Sequence, residues 1–592
     1  MENTDIFSYI KTQETAWKTD QVALTRSKSW NMYEHLERCF NVANGWFHQG
    51  QNDGLRPYND IVTPIIDVAF RSEGFDVKDI VPYVDDVDQA YKSFIIKKYH
   101  PDWARKHLLD TFIDEVVESS IIYDLVLVKN VNDVRPEVVD LQTLAFCDQT
   151  DIMAGPICIR HQYTPAELVE KKGKWDDDKI DQAILMSLYE KKSDLANEQI
   201  IKTPSKYIEV YELRGNLPEY WLDEEGEMFK YTPQTHIVCY YTGDDGLRNG
   251  ITLYKGKDKP LNKVFKSLKI DQVRSKGRAC GRSVVERLFE PQVWNNYAGI
   301  KLKEMLDSAV NLLQTESQEV TNQKLKGLTN FTVLKHEMGK PLSRVDMQLQ
   351  NVPTLQGYQA KTEQDARILG SASDPALGLS PTSGTPLGTT QLITQQGLGI
   401  HGYRQGKIAT FFSDELYADW ILEWMIKDMN KGKKFSEDLT LEEVEEIVDK
   451  VVNSELEKKI KELMLSGIPI YAEDKLAMAE MLREDFMKGG QRRFLEALEN
   501  ELEDVPTKVF VNIAGKQRNM VDNANKLSNI MRFVTSAPGA IQQIPGLGKL
   551  FNELIEESGY SPVDFTQITK PPTQPMQPQV SPLQNNAQPV QQ

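Results

Sequence analysis

Residues 281–430 constrain the chain most. Gly281-Arg282-Ser283-Val284-Val285-Glu286 opens a helical pattern that runs to about Val320. Within it Trp294, Ala298, Leu302, Met305, Ala309 and Leu313 recur every three or four residues, which gathers them on one helix face. Lys301, Lys303, Glu304 and Asp307 fall largely off that stripe. Pro291 suits a helix that it opens, because first-turn N–H groups have no intrahelical partner. From there to Val320 is about 30 residues, roughly 45 Å of helix at 1.5 Å per residue. A short polar, β-like insert follows, Thr321 to Gly357. A second helical run, Tyr358 to Gly370, leads into a Ser/Pro/Gly/Thr loop, Ser371 to Thr390, and a third helical pattern runs to about Met429. A core helix of any globular protein shows the same stripe. The order of the five segments narrows the choice.

At 592 residues the chain exceeds one ordinary core, and its length predicts about two to four folding units. A hydrophobic share of 40% with 26% charged residues predicts a soluble globular protein. There is no run of 18 apolar residues, and the start, Met-Glu-Asn-Thr-Asp-Ile-Phe, lacks a basic region followed by an apolar one. Neither a transmembrane helix nor a secretory signal is expected. The cysteines, Cys39, Cys147, Cys158, Cys239 and Cys280, are odd in number and lack zinc spacing. They read as reduced structural thiols in a cytosolic setting. The formal net charge is -18. A protein that grips nucleic-acid phosphates usually carries a basic face. An acidic channel wall would instead repel a duplex and keep it from sticking, though an acidic sum is ordinary for cytosolic proteins too.

The pattern along the chain predicts a mixed α+β fold. Residues 1–50 read as helical, 51–60 as a turn, Asn59 to Phe70 as helical or extended with Pro64 as a break, and Val84 to Ser120 as helical. From Ile121 the period changes to two. Strands are expected over Ile122–Val128, Val138–Phe146, Ile157–Tyr163, Lys206–Arg214, Tyr220–Leu222 and His236–Tyr241, with a loop or short strand over Asn262–Leu268. Thr164 and Pro165 have the form of an N-cap and first helical residue. Residues 436–503 read as acidic helix, in which Glu442, Glu443, Glu445 and Glu446 form a solvated face. Thr507–Ile513 reads as a short strand able to join a sheet of the 121–270 strands. Met520–Val534 and Leu547–Ser558 read as helices. The Pro/Gln/Asn-rich tail from Phe565 cannot bury enough apolar surface to offset ordering, so disorder is expected there.

Familiar catalytic arrangements are missing. Gly546-Leu547-Gly548-Lys549 lacks the spacing of a phosphate cradle. Gly243-Asp244-Asp245-Gly246 is similar to the two-metal turn of RNA-dependent polymerases, but Asp-Gly between strands is also the commonest hairpin turn. Asp85-Asp86-Val87-Asp88 and Asp176-Asp177-Asp178 lack the Gly and Glu of a calcium loop and read as helix starts. His100 and His107 have no third ligand, and no Gly-x-Ser-x-Gly or zincin motif occurs. No cofactor, metal or catalytic residue is assigned.

The order helix, small insert, helix, loop, long helix over 281–430 resembles the centre of tailed-bacteriophage portal proteins, the head-to-tail connectors, most closely those of short-tailed phages. The resemblance implies a wing from 1–280 and 391–515, stem helices at 281–320 and 358–373, a clip at 321–357, a channel loop at 374–390, a crown at 516–564 and a disordered tail at 565–592. It implies a non-enzymatic homo-oligomeric ring, a dodecamer, at one capsid vertex of a virion assembled in the host cytoplasm. Its partners would be double-stranded DNA, the terminase packaging motor, the major capsid protein and tail or adaptor proteins, with no membrane. The channel loop would present Ser371, Ser373, Asp374, Ser380, Thr382, Ser383, Thr385, Thr389 and Thr390 to passing DNA. The clip would carry Lys324, Lys326, Lys335, Lys340 and Arg344. The alternatives are a template-directed nucleotidyl transferase using Asp244 and Asp245, and a non-portal virion adaptor.

Overall fold

The computed structural model describes residues 4–45, 58–84, 90–131, 134–190, 207–223, 229–242, 248–273, 275–308, 351–372 and 399–431, with shorter pieces at 200–201, 226–227, 312–314, 338–339, 343–345, 374, 376–377, 434–438, 448, 452, 456, 459–460, 472–488, 492–496 and 507–511. The chain divides into two compact units, 1–511 and 512–592, and every described residue lies in the first. Its class is mixed α+β.

The largest sheet has five antiparallel strands in the spatial order Arg248–Lys257, Tyr231–Thr242, Ile208–Pro218, Ile157–Tyr163, Leu144–Phe146. The helices Pro165–Glu170 and Asp177–Leu188 bury Leu168, Ile180 and Ala183 against Ile208, Val210, Ile237 and Leu253. Thr164 starts the first of these helices with a full capping box. Its hydroxyl accepts from the Glu167 N–H, and the Glu167 carboxylate accepts from the Thr164 N–H at 2.7 Å. The helix Thr4–Thr19 also packs on this sheet, with Phe7 5.1 Å from Tyr240 and Tyr9 5.8 Å from Phe146.

Beside the sheet, the helix Leu109–Tyr123 buries Phe112, Ile113, Val116 and Val117. Each such side chain contributes on the order of 1.5–3 kcal/mol by leaving water. The strand Val126–Asn130 lies between Phe265–Leu268 and Pro136–Val138. The strand expected from Ile122 thus starts later, because Ile121 and Tyr123 complete the buried face of the preceding helix. Tyr220–Leu222 is not a strand. Glu219–Trp221 is a 3-10 turn that closes the connection between two sheet strands, Glu219 N–H donating to the Lys230 carbonyl. The predicted N-terminal helix is interrupted by a hairpin, Val22–Thr25 with Lys28–Trp30. Pro64 breaks nothing, since it sits in the first turn of the helix Thr63–Glu73. Asn262–Leu268 divides into a helical turn, Leu261–Val264, and the strand Phe265–Leu268.

The late strand, Thr507–Val511, forms as expected but pairs elsewhere. Its antiparallel partner is Ile80–Val84, not a strand of 121–270. Among the described residues the two strands form a separate two-stranded ladder. The acidic region opens on a strand rather than a helix, Lys434–Asp438, paired with Arg492–Glu496. Alternating charges across that ladder, Asp438 opposite Arg492 and Glu437 opposite Arg493, favour the pairing. Ala472–Lys488 is helical.

The helix predicted for 281–320 spans Val284–Ser308, about 37 Å at 1.5 Å per residue. Ser283 caps it, accepting from the Glu286 N–H at 2.9 Å, so Pro291 lies inside it rather than at its start. Leu312–Gln314 is a strand paired with Ser343–Val345, which shortens the helix from its C-terminal side. The chain therefore leaves one helix and enters the next, Asn351–Leu369, from the two ends of one small ladder. The third is a continuous helix from Gly399 to Met429. Its middle, Phe412–Ile421, is wound as a π-helix, and this places Phe412, Leu416, Tyr417, Trp420 and Ile421 on one buried face.

Candidate functional site

The three long helices meet the rest of the fold at a buried charge cluster. Arg404, one turn into the third helix, donates from Nε to Glu73 Oε1 at 2.8 Å, from Nη1 to Asp124 Oδ1 at 2.6 Å and from Nη2 to the Ser120 carbonyl at 2.8 Å. Arg404, Glu73 and Asp124 are all buried. Burial works against the Arg404 charge, but Glu73 and Asp124 outweigh it and hold the guanidinium above its usual range. His401 Nδ1 lies 2.9 Å from the same Glu73 oxygen, and its Nε2 lies 3.1 Å from the Gly370 carbonyl. Asp124 closes the cluster on the other side. Its Oδ2 accepts the Asp271 N–H at 2.9 Å, and its carbonyl accepts the Gly281 N–H at 3.3 Å. One guanidinium thus ties the helices Thr63–Glu73 and Leu109–Tyr123 to the third long helix. Its neighbours His401 and Asp124 fix the end of the second helix and the entry to the first.

The segment expected to face a channel begins at this cluster. Gly370 ends the second helix, Ser371 takes a left-handed conformation with φ 55°, and the Ala372 N–H donates to the Arg367 carbonyl at 2.9 Å. Arg367 reaches forward to Asp374 at 2.8 Å and back to Glu363 at 2.6 Å. Of the proposed loop residues, Ser371 and Asp374 therefore form an anchored root. Ser373, Ser380, Thr382, Ser383, Thr385, Thr389 and Thr390 lie outside the described residues, as do Lys324, Lys326, Lys335 and Lys340. Arg344 is on the short ladder, opposite Leu313. Residues 243–247, with Asp244 and Asp245, also lie outside. The strands on either side pair up to Thr242 opposite Arg248, the arrangement of a hairpin. Asp85, Asp86 and Asp88 lie outside as well, while the exposed Asp176–Asp178 start the helix Asp177–Leu188, with Asp176 accepting the Lys179 N–H at 3.2 Å.

Of its predicted stripe the first helix buries Ala298, while Leu302 and Met305 are half-buried and Trp294 turns outward. Trp294 is half exposed and makes an edge contact with the exposed Tyr297 at 5.9 Å. Beside Ala298 the buried face carries Leu288 and the amides Gln292, Asn295 and Asn296. The amides are satisfied across the helix pair and by the segment at 59–61: Gln292 donates to the Asn59 carbonyl at 2.7 Å and accepts the Ile61 N–H, and Gln359 donates to Asn295 at 3.3 Å. A buried amide that is fully bonded specifies register more than it adds stability.

A groove of about 1380 Å³ runs beside this helix. Six basic side chains line it, Lys28, Arg38, Arg278, Arg282, Arg287 and Lys361, against three acidic ones, Glu286, Glu290 and Asp365. Arg278 is matched by a two-pronged bond to Glu286 at 2.9 and 2.8 Å. Arg282, Arg287 and Lys361 form no ion pair among the described residues. Burial, then Arg404 and Arg282, lower the Arg287 pKa. The groove floor is apolar, with Trp294, Phe289, Ile368 and Ile400 among its residues.

The polar groups nearest to catalytic form are inert. Cys39 Sγ lies 3.7 Å from His35 Nε2, but burial pushes the thiol up to about 12 and the imidazole down to about 4, so neither is charged at neutral pH. His100 meets the Tyr417 hydroxyl at 2.9 Å and His107 lies against Trp103 with its ring tilted at 51°, so the two have different partners. Among the described residues no three His, Cys, Asp or Glu side chains are grouped to hold a metal, and no helix is long and apolar enough to cross a membrane. All five cysteines are buried and unpaired with one another. The sequence showed none of the charge cluster, because Glu73, Asp124 and Arg404 are far apart along the chain. The available signal was His401, Arg404 and Gln405 interrupting an otherwise apolar helix face.

What these features define is a mixed α+β protein with three long helices clamped at one buried ionic cluster. No family model matches the chain, and no curated protein matches it.

Proposed function

We propose that this chain is the subunit of a tailed-bacteriophage portal, a closed ring of identical copies at one capsid vertex that admits and releases double-stranded DNA. The observation that carries this is the apolar exposure of the helix pair Val284–Ser308 and Asn351–Leu369. There Trp294, Tyr297, Leu306, Tyr358, Ile368 and Leu369 are each between 44% and 69% exposed in a single copy. A run of large apolar side chains along two paired helices is more than a monomer ordinarily leaves to water. Covering it with a neighbouring copy through unlike surfaces gives a ring where the rotation closes. The helix pair then acts as the stem, the small ladder at its end belongs to the clip that meets the packaging motor or tail, and the segment rooted at Ser371 faces the channel. The family number is twelve copies, with terminase, the major capsid protein and tail or adaptor proteins as partners. The net charge of -18 suits a wall that DNA slides past. The protein's work is mechanical, and no residue is given a catalytic role.

Negative-stain imaging and sedimentation of purified full-length protein test this. Rings with a central hole, growing in population with concentration, are expected. A strictly monomeric species at high concentration under every salt condition overturns the proposal.

A further inference from the structure

The groove beside the first long helix differs in sign from the chain as a whole. The protein carries a net charge of -18, yet among the described residues the groove lining holds twice as many basic as acidic side chains. Glu286 neutralises Arg278, whereas Lys28, Arg38, Arg282, Arg287 and Lys361 form no ion pair among the described residues. After burial, Arg404 and Arg282 lower the Arg287 pKa, so these cations stand close enough to repel one another. An anionic neighbour relieves that repulsion. The same groove is lined by Trp294, Tyr358, Ile368, Leu369 and Ile400, each between 44% and 69% exposed. Its volume of about 1380 Å³ exceeds the roughly 300–1,000 Å³ of a small-molecule site, which calls for a macromolecular surface. A nucleic-acid strand suits it poorly. Glu290 and Asp365 on the lining repel a phosphate backbone, and aliphatic side chains give bases no flat face to stack on. A protein surface with carboxylates around an apolar centre matches both halves of the groove. Trp294, Tyr358, Ile368 and Leu369 also belong to the apolar exposure that the ring reading assigns to the contact between copies, so that surface belongs to a second copy of this chain.

We infer that the groove is the receiving half of the contact between copies, and that an acidic surface of the next copy enters it. Apolar side chains of the entering surface cover Trp294, Ile368 and Ile400, and its carboxylates meet Arg282, Arg287 and Lys361. Apolar anchors give such a contact its affinity, and the rim charges fix its register and exclude wrong partners. A basic surface does not complement itself, so the contact is head-to-tail and propagates from copy to copy. The inference rests on the ring reading for the identity of the occupant, and adds to it an ionic rim and a direction.

Two full-length variants with the same change in net charge test this. Arg282→Glu with Lys361→Glu reverses the rim, and Lys174→Glu with Lys259→Glu reverses two lysines that do not line the groove. All four positions are exposed, so circular dichroism and thermal melting should match wild type for both. By sedimentation the rim variant should self-associate about a hundredfold more weakly than wild type, because like charges then face each other across the contact. The control should associate as wild type does. Wild-type association should itself weaken about tenfold between 0.1 M and 1 M salt, as the screening length falls from about 10 Å to about 3 Å. The rim variant keeps its entering surface. Labelled and mixed into wild type, it should therefore join a growing chain and stop it, turning rings into shorter open oligomers. A rim variant that assembles as wild type does overturns the inference and leaves the ring reading standing; a labelled single-stranded oligonucleotide that binds wild type and not that variant would then reassign the groove. A control as weak as the rim variant overturns the inference too. Open chains from wild type that the rim variant abolishes keep the contact and remove the ring, while wild type that stays monomeric at every salt concentration removes both.

Discussion

Gly281 has no room for a side chain, because Asp124 occupies the space. A Cβ on Gly281 would meet Asp124 Oδ2 at 1.5 Å and Asp124 Cγ at 2.5 Å. The Asp124 carboxylate cannot yield easily. It is held by Arg404 at 2.6 Å and by the Asp271 N–H at 2.9 Å. The glycine that opens the first long helix is therefore fixed by an ion pair to the third.

Gly281→Ala should push Asp124 off Arg404 and leave a buried charge unmatched, at about 3–5 kcal/mol. Thermal unfolding should fall accordingly. Gly402→Ala is the control. It sits in the third helix with nothing within 4 Å of an added Cβ, so it should stabilise by about 0.5–1 kcal/mol as a Gly-to-Ala helix change. Equal melting of Gly281→Ala and wild type would show that the cluster relaxes freely.

Stability should fall as the pH drops from neutrality toward 4. Burial lowers His35, His100 and His236 to about 4 each, while the unfolded imidazole titrates near 6.5. Between those values the unfolded chain binds more protons than the folded one, so acid favours unfolding. Each site contributes up to about 3 kcal/mol at the acid end of the window. His100→Gln keeps a polar partner for the Tyr417 hydroxyl and should flatten the slope of unfolding free energy against pH between about 6.5 and 4. An unchanged slope would remove His100 from the account.

Glu212 should behave in the opposite range. It accepts from Lys129 at 2.5 Å, His161 at 2.8 Å and Arg214 at 2.5 Å. Burial opposes its charge, but Lys129, then His161 and Arg214, outweigh burial and hold its pKa well below the usual carboxylate range. Its contribution is complete above the unfolded value of about 4.3 and is lost as the pH falls below that toward the folded value. Glu212→Gln should cost about 3–5 kcal/mol at pH 7, since Lys129 is left buried without its anion. The difference from wild type, read by denaturant unfolding, should shrink under more acidic conditions.

How much of this was legible in the sequence depended on how local each cause is. Ile157–Tyr163 and the Thr164–Pro165 helix start were readable because alternation and capping act within a few residues. The first long helix was placed in kind but not in extent, since Ser283 caps it from outside the apolar stripe and the pairing of Leu312 with Val345 ends it from a distance. Its buried face was misjudged for the same reason. Gln292, Asn295 and Asn296 are polar, and only their partners at Asn59, Ile61 and Gln359 make burial tolerable. The strand partner of Thr507–Val511 likewise lies far off in the chain, at Ile80–Val84, and nothing local to either segment names it.

The root of the Ser371–Thr390 segment bears on the last prediction. Pro375, Pro381 and Pro386 alternate along it with Gly378, Gly384 and Gly388, and about 20 residues is long for a connection within a domain, a length usually tied to function. Its entry is fixed by His401 on the Gly370 carbonyl, by the turn at Ser371 and by Arg367 on Asp374. Shortening Leu379–Pro386 leaves all of these in place, so rings should assemble and melt as wild type does. With the segment facing a channel, its Ser and Thr hydroxyls touch passing phosphates weakly, neutral hydrogen bonds being about half as strong as charge-assisted ones. The shortened protein should then give heads with less packaged DNA, or heads that leak it. Full heads with normal DNA content and normal infectivity would make the segment a linker and end its channel role, whatever the state of the ring.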